Sequence, residues 1–266
     1  LEKYIERGMK LWQVPGLAVS IVKDGKVIFQ KGFGIRDINK KDKVDENTLF
    51  IIASNSKLFT GTTIANLDYE KKISLNDKVI NYLPWFRLYD SAVTQMVTVR
   101  DVLSHRLGTK TFQGDFVFWD SNLPKDSIVW KMRYLKPNGL FRQDYGYCNS
   151  GYLVAGQVLK KVTGQSWEVY TEKNILKSWG INNPYMQTAG MVDRKNVASP
   201  HTNLFAALTS IPFDNVDNLA PATSMVRRPG MVTPTSITVV DTRMSARRSR
   251  RSSSTAVFSA SAMSPC

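Results

Sequence analysis

The chain has 266 residues and a mass of 30.0 kDa, a length that suits one large domain or two modest ones. Hydrophobic residues make up 42% and charged residues 22%, which is ordinary globular usage and excludes a wholly disordered protein. Two cysteines and two histidines exclude a disulfide framework and a histidine-rich metal site, so we expect no metal and no other cofactor. No apolar run reaches the roughly 18 residues that a transmembrane helix needs, so we expect no membrane span.

The formal net charge of +14 is unevenly distributed. Residues 226–266 contain seven arginines, no lysine and a single acidic residue, Asp241. Serine is frequent there, and a strand-like period occurs only over residues 236–240. We therefore separate a globular body, residues 1–225, from an atypical Arg/Ser-rich tail, residues 226–266, which we expect to be disordered. Nucleic-acid binding through the tail remains an alternative that its composition allows.

The first predicted elements are a helix and a β-hairpin. Apolar residues recur at helical spacing over residues 1–12. Residues 17–22 and 26–33 are then typical of two strands, and they flank Asp24 and Gly25, a dipeptide that favours the positive φ angles of a two-residue hairpin turn. The chain therefore begins with a helix followed by two antiparallel strands.

Helices dominate the middle of the chain. Residues 56–70 predict a helix with Leu58, Thr62, Ala65 and Leu67 toward the core. Thr98 and Asp101 have the spacing of a capping box, which predicts a short helix after Thr98.

Two later helices have clear boundaries. Asn149 or Ser150 is expected to cap a helix that ends at Gly164, and residues 166–179 repeat this design up to Gly180. With strands at the front and helices in the middle, the pattern indicates a mixed α/β (α+β) fold whose remaining strands come from later in the chain.

The strongest chemical signal is Ser54 followed three residues later by Lys57. A serine hydroxyl becomes a good nucleophile only when a nearby base takes its proton, and a lysine can do so only as a neutral amine. Residues three apart share one face of a helix, and both burial and the positive helix N-terminus favour the neutral amine. Ser20 and Lys23 have the same spacing, but they lie on a predicted strand, where such residues point to opposite faces.

Tyr147 and Asn149 form a second signal, just before a predicted helix. A phenol close to a lysine can relay a proton, and an asparagine amide can hold both a lysine and a substrate carbonyl. Cys148 lies between them, and we interpret it as a packed, inert thiol rather than a nucleophile.

Five segments occur together in the order seen in class C β-lactamase-like serine hydrolases, and the sequence resembles that family over roughly residues 1–225. The segments are Val14-Pro15-Gly16-Leu17-Ala18-Val19, Ile52-Ala53-Ser54-Asn55-Ser56-Lys57, Val99-Arg100-Asp101-Val102-Leu103-Ser104-His105, Tyr147-Cys148-Asn149 and Val162-Thr163-Gly164-Gln165-Ser166-Trp167. The family includes β-lactamases, penicillin-binding D-alanyl-D-alanine peptidases and esterases.

The resemblance implies a mostly antiparallel sheet flanked by helices, beside an all-helical region. In these terms residues 1–70 hold the hairpin and nucleophile helix, 71–184 the helical region and 185–225 a return segment.

The resemblance also implies a role for each site residue. Ser54 would be the acylated nucleophile, Lys57 its proton partner, Tyr147 the base or proton shuttle and Asn149 a substrate-orienting amide. His105 would lie in a helix-end motif rather than in the proton relay. A bacterial periplasmic or secreted location is implied as well, with the leader not present in this chain.

One family feature is missing, because no Lys-x-Gly or His-x-Gly triplet follows Val226. In the family that triplet lies on a C-terminal strand that supplies an oxyanion-hole N–H. We therefore expect a truncated or frame-disrupted member in which the C-terminal sheet strands are missing and the hairpin keeps an unpaired edge.

Two main functions remain open at this point. The first is a serine hydrolase acting through an acyl-enzyme on an ester, a D-alanyl cell-wall peptide or a β-lactam. The second is a non-catalytic relative that binds such ligands. A specific nucleic-acid partner is not expected.

Overall fold

The computed structural model describes residues 1–115, 119, 121–181, 184–191, 194–203, 207–213, 217–219, 221–222, 226–227 and 237–241. The chain forms two compact units. The first unit comprises Leu1–Ile51, Gly190–Phe213 and Val226–Cys266, and the second comprises Ile52–Ala189 and Asp214–Met225.

The first unit contains a four-stranded antiparallel sheet in the order β3-β2-β1-β8. Its strands are β1 (Gly16–Lys23), β2 (Lys26–Asp37), β3 (Lys40–Lys43) and β8 (Ile237–Asp241). The predicted hairpin is confirmed, since β1 and β2 pair along their length and Asp24 and Gly25 adopt φ angles of 50° and 74°.

Strand β1 is buried on both faces. Helix α1 (Glu2–Trp12) packs Ile5 and Met9 against a cluster that includes Leu17 and Val19. On the other face a second cluster is formed by Ala18, Val44, Phe50 and Ala198. The predicted first helix is therefore confirmed, and its contact with the sheet runs through a narrow stripe of side chains.

The expectation that the hairpin has an unpaired edge is wrong. Strand β8 pairs antiparallel with β1, with Leu17 opposite Asp241 and Ile21 opposite Ile237. The β-branched run in this strand coincides with the strand-like period at residues 236–240, which explains why this part of the tail forms a strand. The remaining tail, residues 228–236 and 242–266, lies outside the described residues, and its disorder stays a prediction.

Two short strand pairs complete the first unit. Strand β4 (Phe50–Ile51) pairs with β7 (Val226–Arg227), and β5 (His201–Thr202) pairs with β6 (Thr209–Ser210). His201 is completely buried, and its Nε2 accepts the N–H of Ile38 at 3.2 Å.

The second unit is helical over most of its described length. Its α-helices are α2 (Ser56–Tyr69), α3 (Val79–Tyr82), α4 (Ser91–Met96), α5 (Val99–Leu103), α6 (Lys125–Lys131), α7 (Asn149–Thr163) and α8 (Trp167–Thr171). The predicted capping box at the start of α5 is confirmed, because Thr98 and Asp101 exchange side-chain to backbone hydrogen bonds. Past α8 the chain continues as irregular helical turns to Gly180, which has a left-handed φ of 71°.

Helix α7 forms the centre of this unit, and helices α2, α5, α6 and α8 contact it. Every residue from its start to Leu159 is buried. The predicted cap is wrong, because Cys148 occupies the N-cap position and makes no side-chain cap bond, while Asn149 is the first helical residue. The Asn149 side chain is instead directed into the site described below.

The buried face of α2 differs in part from the prediction. Leu67 is buried as predicted, but Leu58 and Ala65 are exposed, and Lys57, Thr60 and Ile64 are buried instead. Side chains three or four positions apart lie on the same face of a helix, so Thr60 and Ile64 lie on the same buried face as Lys57. Among the described residues, the structure has no helix that is both long and apolar enough to cross a membrane.

Candidate active site

Ser54 is presented by a tight turn at the start of α2. The turn is a single 3-10 segment, Ala53–Asn55, in which Ala53 has a left-handed φ of 45°. The Ser56 hydroxyl donates to the Ala53 carbonyl at 2.7 Å, and the Asn55 side-chain Nδ2 donates to the Ile52 carbonyl at 2.8 Å. These bonds fix a turn that leaves Ser54 exposed while Lys57, one helical turn later, is buried.

Three oxygen atoms surround the Lys57 amine. Its Nζ lies 2.6 Å from Asn149 Oδ1, 3.0 Å from the Ala222 carbonyl oxygen and 3.3 Å from Ser54 Oγ. The amide and carbonyl oxygens can only accept, so two N–H groups of Lys57 are directed at them. The remaining tetrahedral position faces Ser54, and it carries a third proton in the ammonium form and the lone pair in the neutral form.

Burial lowers the pKa of Lys57 from 10.5 to about 7, although electrostatic interactions with Asp115 and Cys148 act in the opposite direction. The desolvation effect dominates because it removes the ammonium from water. A substantial fraction of Lys57 is therefore neutral near neutral pH and able to accept a proton from the adjacent serine.

Tyr147 contacts the same serine from another side. Its hydroxyl donates to Ser54 Oγ at 2.7 Å, and the Lys57 Nζ lies 4.6 Å from the centre of its ring. Burial raises the pKa of Tyr147 to about 12, and the hydrogen bond to Ser54 offsets part of that rise. The phenol is therefore protonated near neutral pH, and it acts as a donor to the serine oxygen.

His105 supports Tyr147. The two rings stack with centroids 4.5 Å apart, and His105 Nδ1 accepts the Cys148 backbone N–H at 3.0 Å. Burial, reinforced by the positive charge of Lys57, lowers the pKa of His105 to about 4. The imidazole is thus neutral near pH 7, and its contacts hold the tyrosine ring and the start of α7 in place.

Asn149 joins the lysine to an acidic residue that the sequence analysis missed. Its Nδ2 donates to Asp115 Oδ2 at 2.7 Å, while its Oδ1 accepts from Lys57. Both Asn149 and Asp115 are almost fully buried. No sequence spacing connects Asp115 with the other residues, because it lies 34 positions before Asn149.

The backbone at Pro221 and Ala222 forms part of the lysine's surroundings. The Pro221 carbonyl accepts the Thr60 hydroxyl at 2.7 Å, one turn of α2 beyond Lys57. The neighbouring Ala222 carbonyl accepts from Lys57 itself. Every residue has a backbone carbonyl, so the type of residue at this position gives no indication of the contact and the sequence could not predict it.

Cys148 is not placed as a nucleophile. Its side chain is buried, its Sγ lies 3.0 Å from Ser150 Oγ, and burial raises the pKa of its thiol. A raised pKa disfavours the thiolate, which is the reactive form. Within the part of the chain that the structure describes, no group of three or more His, Cys, Asp or Glu side chains is arranged to hold a metal ion.

The geometry therefore combines one exposed hydroxyl with two proton-bearing partners. Ser54, Lys57, Tyr147 and Asn149, which the sequence singled out separately, lie within hydrogen-bonding distance of one another in a continuous chain of contacts. Such an arrangement can remove a proton from an attacking hydroxyl and return it to a leaving group.

Comparison with known proteins gives a family match. The family model described as Beta-lactamase matches residues 1–227. The chain is 31% identical to Protein flp of Staphylococcus aureus (strain N315) over 182 residues, which cover 66% of this chain and 36% of that protein. It is 31% identical over 150 residues to the Teichoic acid D-alanine hydrolase of Staphylococcus aureus, covering 56% of this chain and 36% of that protein. The chain thus spans only about a third of the length of these relatives.

A solved structure gives the same fold. The octameric penicillin-binding protein homologue from Pyrococcus abyssi superimposes with a TM-score of 0.72 at 28% sequence identity. The match covers 85% of this chain and 52% of that chain. The family resemblance and the α/β fold expected from the sequence motifs are therefore confirmed.

Proposed function

Because the chain belongs to the beta-lactamase family, we propose that it is a serine hydrolase that forms an acyl-enzyme on Ser54. The observation that carries this proposal is the position of Ser54 Oγ, 3.3 Å from the buried Lys57 amine and 2.7 Å from the Tyr147 hydroxyl. An exposed hydroxyl with these two partners has both a proton acceptor and a hydrogen-bond donor available for nucleophilic attack.

Acylation begins when neutral Lys57 accepts the Ser54 hydroxyl proton while Oγ bonds to the substrate's acyl carbon. The Tyr147 hydroxyl continues to donate to Oγ and stabilises the negative charge that develops on it. Collapse of the tetrahedral intermediate breaks the bond to the leaving group. That group receives the proton from Lys57, directly or through Tyr147, so the two residues act as a coupled pair.

Deacylation repeats these steps with water as the nucleophile. Water adds to the acyl carbon, its proton passes to Lys57, and the bond to Ser54 Oγ breaks as the serine regains its proton. Asn149 holds Lys57 through its amide oxygen throughout, and we propose that it also orients the bound substrate.

We propose an acyl substrate, namely an ester, a D-alanyl peptide or a β-lactam. Similarity to a teichoic acid D-alanine hydrolase supports the D-alanyl ester within this set. All these substrates share the same first half-reaction, so Ser54, Lys57 and Tyr147 alone do not distinguish them.

Acylation by a reactive substrate is a better first assay than steady-state hydrolysis, because it reports the first half-reaction alone.

The test is covalent labelling with a fluorescent penicillin and with a fluorescent phosphonate, read on a denaturing gel. We expect labelling of the native wild type and none of Ser54→Ala. The matched control is Ser91→Ala, which alters an exposed serine at the start of α4 and should label like the wild type. Reversible binding without a covalent band would favour the non-catalytic relative instead.

We also propose a periplasmic or secreted location, because cell-wall peptides and D-alanyl esters lie outside the cytoplasm. Fractionation of the native host with immunodetection tests this. Recovery in the cell-wall or medium fraction is expected, and recovery with cytoplasmic markers alone would contradict it.

A further inference from the structure

Asp115 is an acidic residue that is hydrogen bonded to Asn149 of the proposed proton relay, and it makes an unusual set of contacts. Only 2% of its surface is exposed. Its Oδ2 accepts the Asn149 side-chain amide at 2.7 Å, and the Asn149 backbone N–H, at the start of α7, is a further hydrogen-bond donor to its carboxylate. Its Oδ1 is buried and has no hydrogen-bond partner among the described residues. A buried carboxylate oxygen without a partner destabilises the fold, so packing alone is a poor explanation for an acid at this position.

We propose that Asp115 is a positioning residue that fixes the orientation of the Asn149 amide and thereby keeps the Lys57 lone pair directed at Ser54. The proposal rests on the proposed function, because it assigns a purpose to the neutral Lys57 amine.

The argument begins with the two ends of the Asn149 amide. One end, Nδ2, only donates hydrogen bonds, and the other, Oδ1, only accepts them. An ionised carboxylate only accepts, so Asp115 requires the NH2 end to face it. The oxygen must then face Lys57, which uses one N–H on Asn149 and another on the Ala222 carbonyl. The position left over in neutral Lys57 is its lone pair, and that position faces Ser54.

The alternative amide orientation would disable the base. If the amide were reversed, its NH2 group would face the Lys57 amine at a distance of about 2.6 Å. Neutral Lys57 would then accept that N–H with its lone pair and direct an N–H at Ser54 instead. The lysine would still be buried and hydrogen bonded, but it could no longer take the serine proton. Asp115 therefore excludes an arrangement that is structurally acceptable and chemically inactive.

Asp115 also acts on Lys57 through its charge. Burial raises the pKa of Asp115 to about 6, while its hydrogen bond with Asn149 and the charge of Lys57 act in the opposite direction. Its carboxylate in turn raises the pKa of Lys57. Removing the carboxylate should therefore lower the pKa of Lys57. The acid limb of the pH profile, where the acylation rate falls as Lys57 is protonated, should then lie at lower pH.

Other ionisable groups near this pair come from each neighbouring element. They are His105 after α5, Tyr147 and Cys148 before α7, and Tyr152 on α7, whose ring centre lies 5.3 Å from the lysine nitrogen. The tyrosines and the cysteine have raised pKa values and the histidine a pKa of about 4. None of these groups gains or loses its proton between pH 5 and 8. Among the groups named here, Asp115 and Lys57 therefore account for titration in that window.

The experiment measures the rate of acylation by a chromogenic β-lactam or activated ester from pH 5 to 9. We expect Asp115→Asn to lower the rate at pH 8 by about 10²-fold, the usual effect of misplacing a reacting group. Its acid limb should also move to lower pH than in the wild type. Asp126→Asn, which removes the charge of an exposed acid in the first turn of α6, is the matched control and should keep the wild-type rate and profile.

A double-mutant cycle separates positioning from a general structural role. In an Asn149→Ala background the amide is absent, so Asp115→Asn should lower the rate further by less than about threefold. Equal losses in both backgrounds, or an unchanged rate and acid limb in Asp115→Asn, would overturn the proposal.

A measurement on the wild type covers the case in which Asp115→Asn does not fold. The side-chain amide NMR signal of Asn149, identified by its absence in Asn149→Ala, should shift with a midpoint near pH 6 as Asp115 loses its proton. A signal that is insensitive to pH between 5 and 7 would refute the contact. Failure of the proposed function itself looks different, because the wild type would not be acylated or Ser54→Ala would still be acylated.

Discussion

Replacing Lys57 with arginine tests the identity of the base. A guanidinium stays protonated at any working pH, so it preserves a buried positive charge but cannot accept the serine proton. With a pKa of about 7, about half of the Lys57 side chains are neutral at pH 7. An unperturbed lysine with a pKa of 10.5 would be neutral in only about 0.03% of molecules, so burial increases the reactive form by about 10³-fold.

The sign of the pH dependence follows from the same shift. In the proposed mechanism neutral Lys57 is the active form, and it is lost as pH falls through about 7. The acylation rate should therefore fall about tenfold per pH unit below that point and level off above it. Protonation of Asp115, with a pKa of about 6, adds a second loss at lower pH.

Stopped-flow acylation with a chromogenic β-lactam measures both effects. Lys57→Arg should acylate at least about 10³-fold more slowly than the wild type at pH 8, whereas Lys72→Arg, which changes an exposed lysine beyond the end of α2, should not differ. A Lys57→Arg rate within tenfold of the wild type, or a wild-type rate that stays constant down to pH 5, would refute the assignment of Lys57 as the base.

Three further predictions concern the surroundings of the site. Tyr147→Phe loses the hydroxyl that donates to the serine oxygen at 2.7 Å, so acylation should slow by about 10² to 10³-fold in the same assay, and a loss below threefold would contradict its role. Gly156→Ala would place a Cβ only 2.9 Å from Pro221 Cγ and should lower the free energy of unfolding by about 1–3 kcal/mol in urea titrations. Gly61→Ala, whose Cβ meets nothing within 4 Å, should be neutral or stabilising by about 1 kcal/mol, and equal effects at the two glycines would argue against this packing. Cys148 should resist iodoacetamide in the native protein and react after unfolding, as mass spectrometry would show, whereas rapid native labelling would contradict its burial.

Local signals in the sequence predicted the elements that depend on neighbouring residues. Asp24 and Gly25 predicted the hairpin because their positive φ angles are a property of the dipeptide itself. Thr98 and Asp101 predicted the start of α5 for a similar reason. The spacing of Ser54 and Lys57 predicted that the two side chains share a helical face, and their reacting atoms lie 3.3 Å apart.

Features that depend on distant contacts were harder to predict. The predicted face of α2 was wrong at Leu58, because the contacts of Lys57 with α7 and the Ala222 carbonyl decide which side is buried, although Leu58 is the more apolar residue. Asp115 carries no pattern of its own, and it meets Asn149 only through the fold. The pairing of β8 with β1 joins residues more than 200 positions apart, where composition misled the interpretation of the tail.

Peptide mapping of the covalent adduct tests the proposed function most directly. The native protein is treated with a phosphonate or penicillin probe, digested and sequenced by mass spectrometry. One adduct on the peptide that contains Ser54 is expected, formed readily at pH 8 and slowly at pH 5. An adduct confined to another residue, or a native protein that takes up no probe at either pH, would contradict the account.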